Sequence, residues 1–261
     1  MVYPRADTES DRAVRGFPEV RPLATEAPLW PGAARNLGAR CAGADDLAFL
    51  DADCQPSATW LRAAAEALAS GARVATGPLT HTADCNSIAV ADNLLQFIDF
   101  AGFRPEGLAP YAPGCNWAMR RTDFEALGGF PEHTPVGEDT LLSRQALAAW
   151  PDGIRYRPPM AVAHRGRGTL RGLWAHQRSF GYYRGLHGLA LRPLYRRWGC
   201  RRAGAVLLAM GRWPYLLKSC LWRDPRLFAL LLGLSPLVLA GLAGWGAGLR
   251  AGCRTAIGRK P

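Results

Sequence analysis

The order of apolar and polar positions predicts strands that alternate with helices up to about residue 190. Short apolar runs predict strands at 46–50, 74–76 and 160–163, with an extended segment at 111–119. Helical spacing or composition predicts helices at 56–69, 87–100, 137–150 and 169–186. Thr122 to Glu125 has the sequence of a capping box, and Gly128 and Gly129 would end the helix that it opens. This order predicts an α/β layered domain.

Beyond about residue 190 the pattern changes to a basic and apolar tail. Residues 227–249 are an uncharged stretch of 23 residues, and about 20 suffice to cross the hydrocarbon core of a bilayer. Ser235 and Pro236 in its middle predict a kink or a re-entrant hairpin. A buried core helix is the alternative, although cations flank the stretch on both sides. Residues 203–222 mix Leu, Trp and Tyr with cations, which suits a helix lying in the membrane interface.

The charge is divided as unevenly as the hydrophobicity. The formal net charge is +11, yet all but one of the 21 acidic residues precede residue 153, and Asp224 is the remaining one. The cations of the tail lie beside an apolar run of membrane length and lack the distributed stripe of a nucleic-acid footprint. The sequence therefore predicts a membrane as partner and no nucleic acid.

Two acidic motifs are the first candidates for chemistry. Asp51 and Asp53 follow an apolar strand, where open α/β sheets bind ligands, and paired carboxylates suit Mg²⁺ or Mn²⁺. An Asx turn or a helix N-cap is the structural alternative. Glu138 and Asp139 follow Gly137 at a predicted helix start, where carboxylates are favoured in any case. Either of these two acids qualifies as a general base.

Two further motifs carry polar or cationic groups. Gly114-Cys115-Asn116-Trp117 offers an amide and an indole suited to binding a sugar, with a core aromatic as the alternative for Trp117. His164-Arg165-Gly166-Arg167-Gly168 follows a strand, and such a turn can bring an imidazole to a metal and guanidinium groups to a diphosphate. A lone His at a strand end is more often structural.

The order of these motifs resembles glycosyltransferase family 2, the inverting nucleotide-sugar transferases of the GT-A fold. The resemblance covers about residues 7 to 190 and rests on the following segments: Ala34-Arg35-Asn36-Leu37-Gly38, Phe49-Leu50-Asp51-Ala52-Asp53, Gly114 to Arg121, Leu127-Gly128-Gly129-Phe130, Gly137-Glu138-Asp139-Thr140 and Val162-Ala163-His164-Arg165.

The resemblance implies a role for each motif. Asp51 and Asp53 would contact the donor ribose and hold a divalent cation, Mn²⁺ or Mg²⁺, that His164 would approach. Arg165 and Arg167 would lie at the diphosphate, and Arg35 and Asn36 would contact the nucleotide. Asp139 would deprotonate the acceptor hydroxyl, with Glu138 beside it. Gly114, Cys115, Asn116 and Trp117 would form the platform for donor sugar and acceptor.

One segment departs from the family pattern. Family members normally open with a V-I-I-P strand and its helix, and end a second strand with a D-D-G-S-x-D segment. Here the chain opens at Met1-Val2-Tyr3-Pro4, and Asp7 to Asp11 is a degenerate version of the acidic segment. We therefore expect a transferase domain without the first strand and helix, because of either a start placed too far downstream or a truncated copy.

These observations predict a GT-A-like mixed sheet with flanking helices at 1–190, followed by a membrane-associated helical region at 191–261. The predicted function is metal-dependent inverting transfer of a sugar from a nucleotide-sugar donor to a lipid-linked or cell-envelope glycan acceptor. The catalytic domain is expected in the cytoplasm, at the membrane. The alternative is a catalytically inactive binding or scaffold protein that keeps the fold at the membrane surface.

Overall fold

A computed structural model describes residues 1–102, 104–188 and 197–258. The fold is α/β, with mixed sheets flanked by helices, as the pattern predicted. The chain divides into two compact units. Of the described residues, unit 1 contains Met1–Leu50, Ala64–Thr76 and Leu108–Arg155, and unit 2 contains Asp51–Ala63 and those between 77 and 107 and from Tyr156 onward.

Unit 1 opens with a strand, a helix and a second strand that the sequence pattern did not predict. Strand β1 (Val2–Pro4) pairs in parallel with β2 (Leu23–Thr25), and α1 (Thr8–Arg15) connects them. Asp7 caps α1, since its Oδ1 accepts from the Ser10 amide at 3.0 Å. The degenerate acidic segment is therefore the first turn of a helix. Helix α2 (Pro31–Cys41) follows β2.

A five-stranded sheet provides the core of unit 1. Its order is β3 (Asp46–Phe49), β8 (Trp117–Arg120), β5 (Val74–Thr76), β9 (Ile154–Tyr156) and β7 (Gly107–Leu108). Strand β8 is antiparallel to both β3 and β5. On one face of this sheet Phe49, Trp117 and Phe130 pack edge to face, with ring centroids 5.2 and 5.4 Å apart. Because aromatic rings bury large apolar areas, this cluster stabilises the unit strongly.

Three helices accompany this sheet along the chain: α3 (Trp60–Ala69), α5 (Arg121–Ala126) and α6 (Glu138–Ala149). The capping-box prediction was wrong in its detail, because the N-cap of α5 is Arg120, two residues before Thr122, and Arg120 makes no side-chain cap bond. Gly128 and Gly129 do follow the helix with positive φ angles of 78° and 74°. Glycine adopts this left-handed conformation without strain, which explains why the chain can turn there.

The three-stranded sheet of unit 2 has the order β4 (Cys54–Pro56), β10 (Val162–His164) and β6 (Leu79–His81). Strand β10 is antiparallel to β4, with His164 opposite Cys54, and parallel to β6. Helices α4 (Ser87–Phe97) and α7 (Leu170–His187) belong to the same unit. Thr169 caps α7 through its side chain, as a predicted helix start at this residue requires.

Among the described residues of the tail, 202–258 contain the helices α8 (Arg202–Met210), α9 (Arg212–Arg223), α10 (Pro225–Gly233) and α11 (Ser235–Gly258). Although the sequence predicted a separate region after residue 190, these helices belong to unit 2. Glycines explain this association. A methyl group on Gly248 would lie 1.9 Å from the carbonyl oxygen of Arg178, and one on Gly181 would lie 2.0 Å from that of Trp245. The backbones of α7 and α11 therefore meet directly.

The apolar stretch 227–249 is split between α10 and α11, which are bent by 76° about Leu234. This bend agrees with the kink predicted at Ser235 and Pro236. In the part of the chain that the structure describes, no single helix is both long and apolar enough for a membrane span, whereas the bent pair taken together is. Much of α11 is buried, including Val238, Leu242 and Leu249, which favours the core-helix alternative for this half of the stretch.

Candidate functional site

In unit 2, β4 and β10 bring a carboxylate, a thiol and an imidazole together. One ligand atom each from Asp53, Cys54 and His164 lies within 4.8 Å of the others. The Asp53 Oδ2 to His164 Nε2 distance is 3.6 Å. The antiparallel register sets this geometry, because it places His164 opposite Cys54. The sequence singled out Asp53 and His164 but missed Cys54, whose only signal is its place directly after the D-x-D motif.

Asn93 of α4 fixes the orientation of the His164 ring. Its Oδ1 lies 2.8 Å from Nδ1 of His164, and its Nδ2 donates to the His164 carbonyl at 2.9 Å. An amide oxygen can only accept, so Nδ1 carries the proton and Nε2 keeps its lone pair toward Asp53. Burial lowers the pKa of His164, although the carboxylates of Asp53, Asp51 and Asp92 oppose this effect. A neutral imidazole with a free Nε2 is a metal ligand.

The glycine-rich turn after β10 is fastened to α4. A methyl group on Gly166 would lie 2.3 Å from the carbonyl oxygen of Ala89, so only glycine fits. The backbone amide of Arg167 donates to Asp92 at 3.2 Å. Because Asp92 is fully buried, it needs further partners, which are His176 and Gln177 at 2.8 Å each. No sequence pattern indicated this network.

The cationic side chains of this turn are exposed. Arg165 Nη2 lies 3.3 Å from Asp84 Oδ2, with both side chains mostly in solvent, and Arg167 is exposed as well. Asp51 is half-buried and acts electrostatically on His164, but it does not belong to the group of ligand atoms around Asp53. The N-cap alternative for the D-x-D motif is wrong, because β4 follows it and α3 begins only at Trp60.

In unit 1, Asp139 is held at the start of α6. Its Oδ2 accepts from the Gly114 amide at 3.0 Å, and its Oδ1 accepts from the amide and the hydroxyl of Thr140. Gly137 precedes the helix with φ of 90°, which lets the chain turn sharply into α6. The N-terminus of a helix is a favourable position for an acidic side chain. Asp139 is half-buried, so it is positioned and still reachable.

Glu138, next to it, is buried in an ion pair with Arg35. The Arg35 Nη1 to Glu138 Oε1 distance is 2.6 Å, with only 11% and 8% of the two side chains exposed. Burial and the neighbouring carboxylate of Asp139 raise the pKa of Glu138 to about 7, while Arg35 opposes this effect. The same guanidinium leaves no room for a side chain at Gly114, where a methyl group would lie 2.8 Å away.

The Asn36 side chain also bonds within unit 1. Its Nδ2 donates to the Phe130 carbonyl at 2.8 Å and to Glu132 at 2.9 Å, and its Oδ1 accepts from the Phe130 amide at 2.9 Å. Arg35 and Asn36 therefore position the segment that leads to α6. Their contact with a nucleotide stays a prediction, and the structure shows that both side chains also bond within the protein.

The predicted sugar platform is mostly interior. Asn116 and Trp117 are fully buried, and Cys115 is 4% exposed. The Trp117 ring packs against Phe130 in the core, which favours the core-aromatic alternative over stacking on a sugar. The backbone of Gly114, which donates to Asp139, is the part of this motif that contributes to the site.

The mixed sheets with flanking helices and the order of these motifs are similar to those of glycosyltransferase domains of the GT-A class. Residues 8–128 match the model of a protein family described as glycosyl transferase family 2, which confirms the family resemblance of the motifs. The match extends over somewhat less than half of the chain.

The chain is similar in sequence to glycosyltransferases among curated proteins. The chain is 28% identical over 217 residues to the pre-mycofactocin glycosyltransferase of Mycobacterium tuberculosis, an alignment that covers 81% of this chain and 44% of that protein. The chain thus spans less than half the length of the curated relatives that it matches.

The chain is also compared with solved structures, to which its sequence identity is lower. The mannosyltransferase PcManGT from Pyrobaculum calidifontis, in complex with GDP-Man and Mn²⁺, has a TM-score of 0.49 and 18% identity over 97% of this chain and 74% of that one. TarS of S. aureus has a TM-score of 0.43 and 14% identity over 98% of this chain and 79% of that one.

Proposed function

We propose that this protein transfers a sugar from a nucleotide-sugar donor to an acceptor hydroxyl, with inversion at the anomeric carbon and with the help of a divalent cation. The observation that carries this proposal is the carboxylate of Asp139, which the Gly114 amide and Thr140 hold at the N-terminus of α6. The match of residues 8–128 to glycosyltransferase family 2 supports the reaction class.

Asp53 and His164 fit the role of cation ligands. A carboxylate oxygen and a neutral imidazole nitrogen 3.6 Å apart suit Mn²⁺ or Mg²⁺. Asn93 accepts from Nδ1 of His164, which leaves Nε2 of the neutral ring as the coordinating nitrogen. When bound, the cation would offset the negative charge that develops on the diphosphate leaving group. Arg165 and Arg167 directly follow β10, which ends at His164, and they are proposed to contact that diphosphate.

Asp139 is proposed to act as the general base. Its carboxylate takes the proton of the acceptor hydroxyl, while the hydroxyl oxygen forms a bond to the anomeric carbon. The bond from that carbon to the diphosphate oxygen breaks with its electron pair, and the nucleoside diphosphate departs. A single displacement of this kind inverts the anomeric centre and needs no enzyme nucleophile. Arg35 and Glu138 position Asp139 through the start of α6.

The acceptor class is also part of the proposal. The basic and apolar tail supports a lipid-linked or cell-envelope glycan acceptor at a membrane, with the transferase domain in the cytoplasm. The curated relatives are named for pre-mycofactocin. An acceptor panel for this chain therefore includes lipid-linked glycans, soluble glycans and pre-mycofactocin.

The test compares Asp139→Asn with the wild-type chain and with Asp152→Asn, which changes an exposed aspartate on a turn. We expect Asp139→Asn to lower turnover by about 10² to 10⁴-fold, the usual contribution of a general base, with donor affinity retained. Asp152→Asn should match the wild type. Radiolabelled sugar transfer measures turnover, and calorimetric titration with nucleoside diphosphates plus Mn²⁺ measures donor affinity.

Two outcomes would contradict the proposal. Full turnover by Asp139→Asn would remove this residue as the base. If the wild-type chain bound none of the nucleoside diphosphates in the presence of Mn²⁺, the inactive scaffold would replace the transferase as the function.

A further inference from the structure

Helices α8 and α9 expose apolar stripes. In α8 the exposed positions are 202, 203, 206, 207 and 210, and in α9 they are 214, 215, 218, 221 and 222. This spacing places each set on one face of its helix. Most of these residues are apolar, and the large ones include Leu207, which is 60% exposed, and Trp222, which is 80% exposed. A helix of a water-soluble surface shows the opposite pattern, with polar residues outward.

The other faces of the two helices are buried in unit 2. Ala209 of α8 packs in a cluster with Trp245 and Leu249 of α11. Leu216 and Cys220 of α9 are fully buried in a second cluster that contains residues of α4, α7, α10 and α11. One face of each helix is thus packed into unit 2. Among the residues that the structure describes, the apolar stripes on the opposite faces remain exposed.

Most of the charged residues on and beside these stripes are cations, although the Asp99 carboxylate accepts a hydrogen bond from the Tyr215 hydroxyl. Arg202 belongs to the stripe of α8 and Lys218 to that of α9. Arg201 and Arg226 are exposed nearby in the sequence. Asp224 is the single acid after residue 153, and its Oδ1 is occupied in capping α10, where it accepts from the Arg226 amide at 2.9 Å. The charge complements a negative surface.

We infer that the exposed stripes of α8 and α9 bind the surface of an anionic phospholipid bilayer. The apolar residues enter the boundary between headgroups and acyl chains, and Arg202 and Lys218 contact the headgroups. Trp222 and Tyr215 are residue types that concentrate at this depth. The inference does not depend on the transfer reaction. It assigns the membrane contact to the exposed faces of α8 and α9 and not to the bent pair α10 and α11.

The test is co-sedimentation of the full chain with vesicles of phosphatidylcholine alone or with about 30% phosphatidylglycerol, a fraction that gives a strong negative surface potential. We expect binding to the anionic vesicles that weakens as salt increases. Neutralising Arg202 and Lys218 with Gln should lower this affinity by about fivefold for each cation removed. The double variant Leu207→Ser with Trp222→Ser should lower it by at least about tenfold.

The matched control is Leu61→Ser with Trp30→Ser, which removes one exposed Leu and one exposed Trp elsewhere, 65% and 56% accessible in the folded chain. It should bind vesicles like the wild type. Circular dichroism establishes that each variant is folded.

Three results would overturn the inference. The first is no binding of the wild type to anionic vesicles, including the case in which light scattering shows that a second copy covers the stripes. The second is that the control variant, Leu61→Ser with Trp30→Ser, loses as much vesicle binding as Leu207→Ser with Trp222→Ser. The third is that the double variant Leu207→Ser with Trp222→Ser still binds vesicles and that this binding resists alkaline carbonate extraction. That result would assign the membrane contact to α10 and α11.

Discussion

The titration of Glu138 makes the stability of the fold depend on pH in a defined direction. Its pKa is raised from 4.5 to about 7 by burial and by Asp139. The folded chain therefore holds this proton more tightly than the unfolded chain does. Folding is favoured by Glu138 while it is protonated, and this advantage is lost as the pH rises from about 4.5 to about 7.

The size of the effect follows from the difference between the two pKa values. Each pKa unit corresponds to about 1.4 kcal/mol, so the full loss is about 3 kcal/mol. Between about pH 5 and about pH 8 the loss is about 2 kcal/mol, because the unfolded chain is already largely ionised at the lower value.

Glu138→Gln removes this titration and keeps the shape of the side chain. The substitution also leaves Arg35 without its carboxylate, but that cost is nearly constant between the two pH values and cancels in the comparison. We therefore expect the wild type to lose about 2 kcal/mol more unfolding free energy than Glu138→Gln on going from about pH 5 to about pH 8.

Urea denaturation at both pH values measures this difference. Glu19→Gln, which changes an exposed carboxyl on a turn, should behave like the wild type. If Glu138→Gln showed the same pH dependence as the wild type, Glu138 would be ionised throughout, and the ion pair with Arg35 would outweigh burial.

Two further predictions concern the cation ligands and the packing of the tail. Asn93→Ala should lower Mn²⁺ affinity by about 10- to 100-fold, measured by electron paramagnetic resonance, because His164 loses its orienting partner. Asn86→Ala, at the N-cap of the same helix, should not, and equal affinities of the two variants would contradict the proposed ligand role. Gly248→Ala should lower the unfolding free energy by at least about 1 to 3 kcal/mol in urea, because its methyl group meets the α7 backbone. Gly233→Ala, which has open space, is its control, and equal stability of the two variants would refute this account of the helix contact.

The sequence by itself determined the elements whose signals are local. The strands at 46–49 and 74–76, the helix starts at Glu138 and Leu170, and the order of the family motifs all follow from short-range apolar patterns, caps and turn residues. The same local signals identified Asp53, His164 and Asp139 as candidate site residues.

Tertiary structure alone decided which polar groups meet and which apolar residues are buried. Strands such as β4 and β6 have three residues each, too few to show a period, and they are defined by pairing with β10. The contact of Asn93 with His164 joins residues 71 positions apart, so no local pattern predicts it.

The apolar tail shows the same division most clearly. Composition indicated a membrane-length stretch at 227–249, but it could not say which part of it faces the protein. The glycines of α7 and α11 let two backbones touch and bury α11, whereas the more mixed sequences of α8 and α9 keep their apolar residues exposed. Burial depends on where distant segments pack, and that is information that only the folded chain contains.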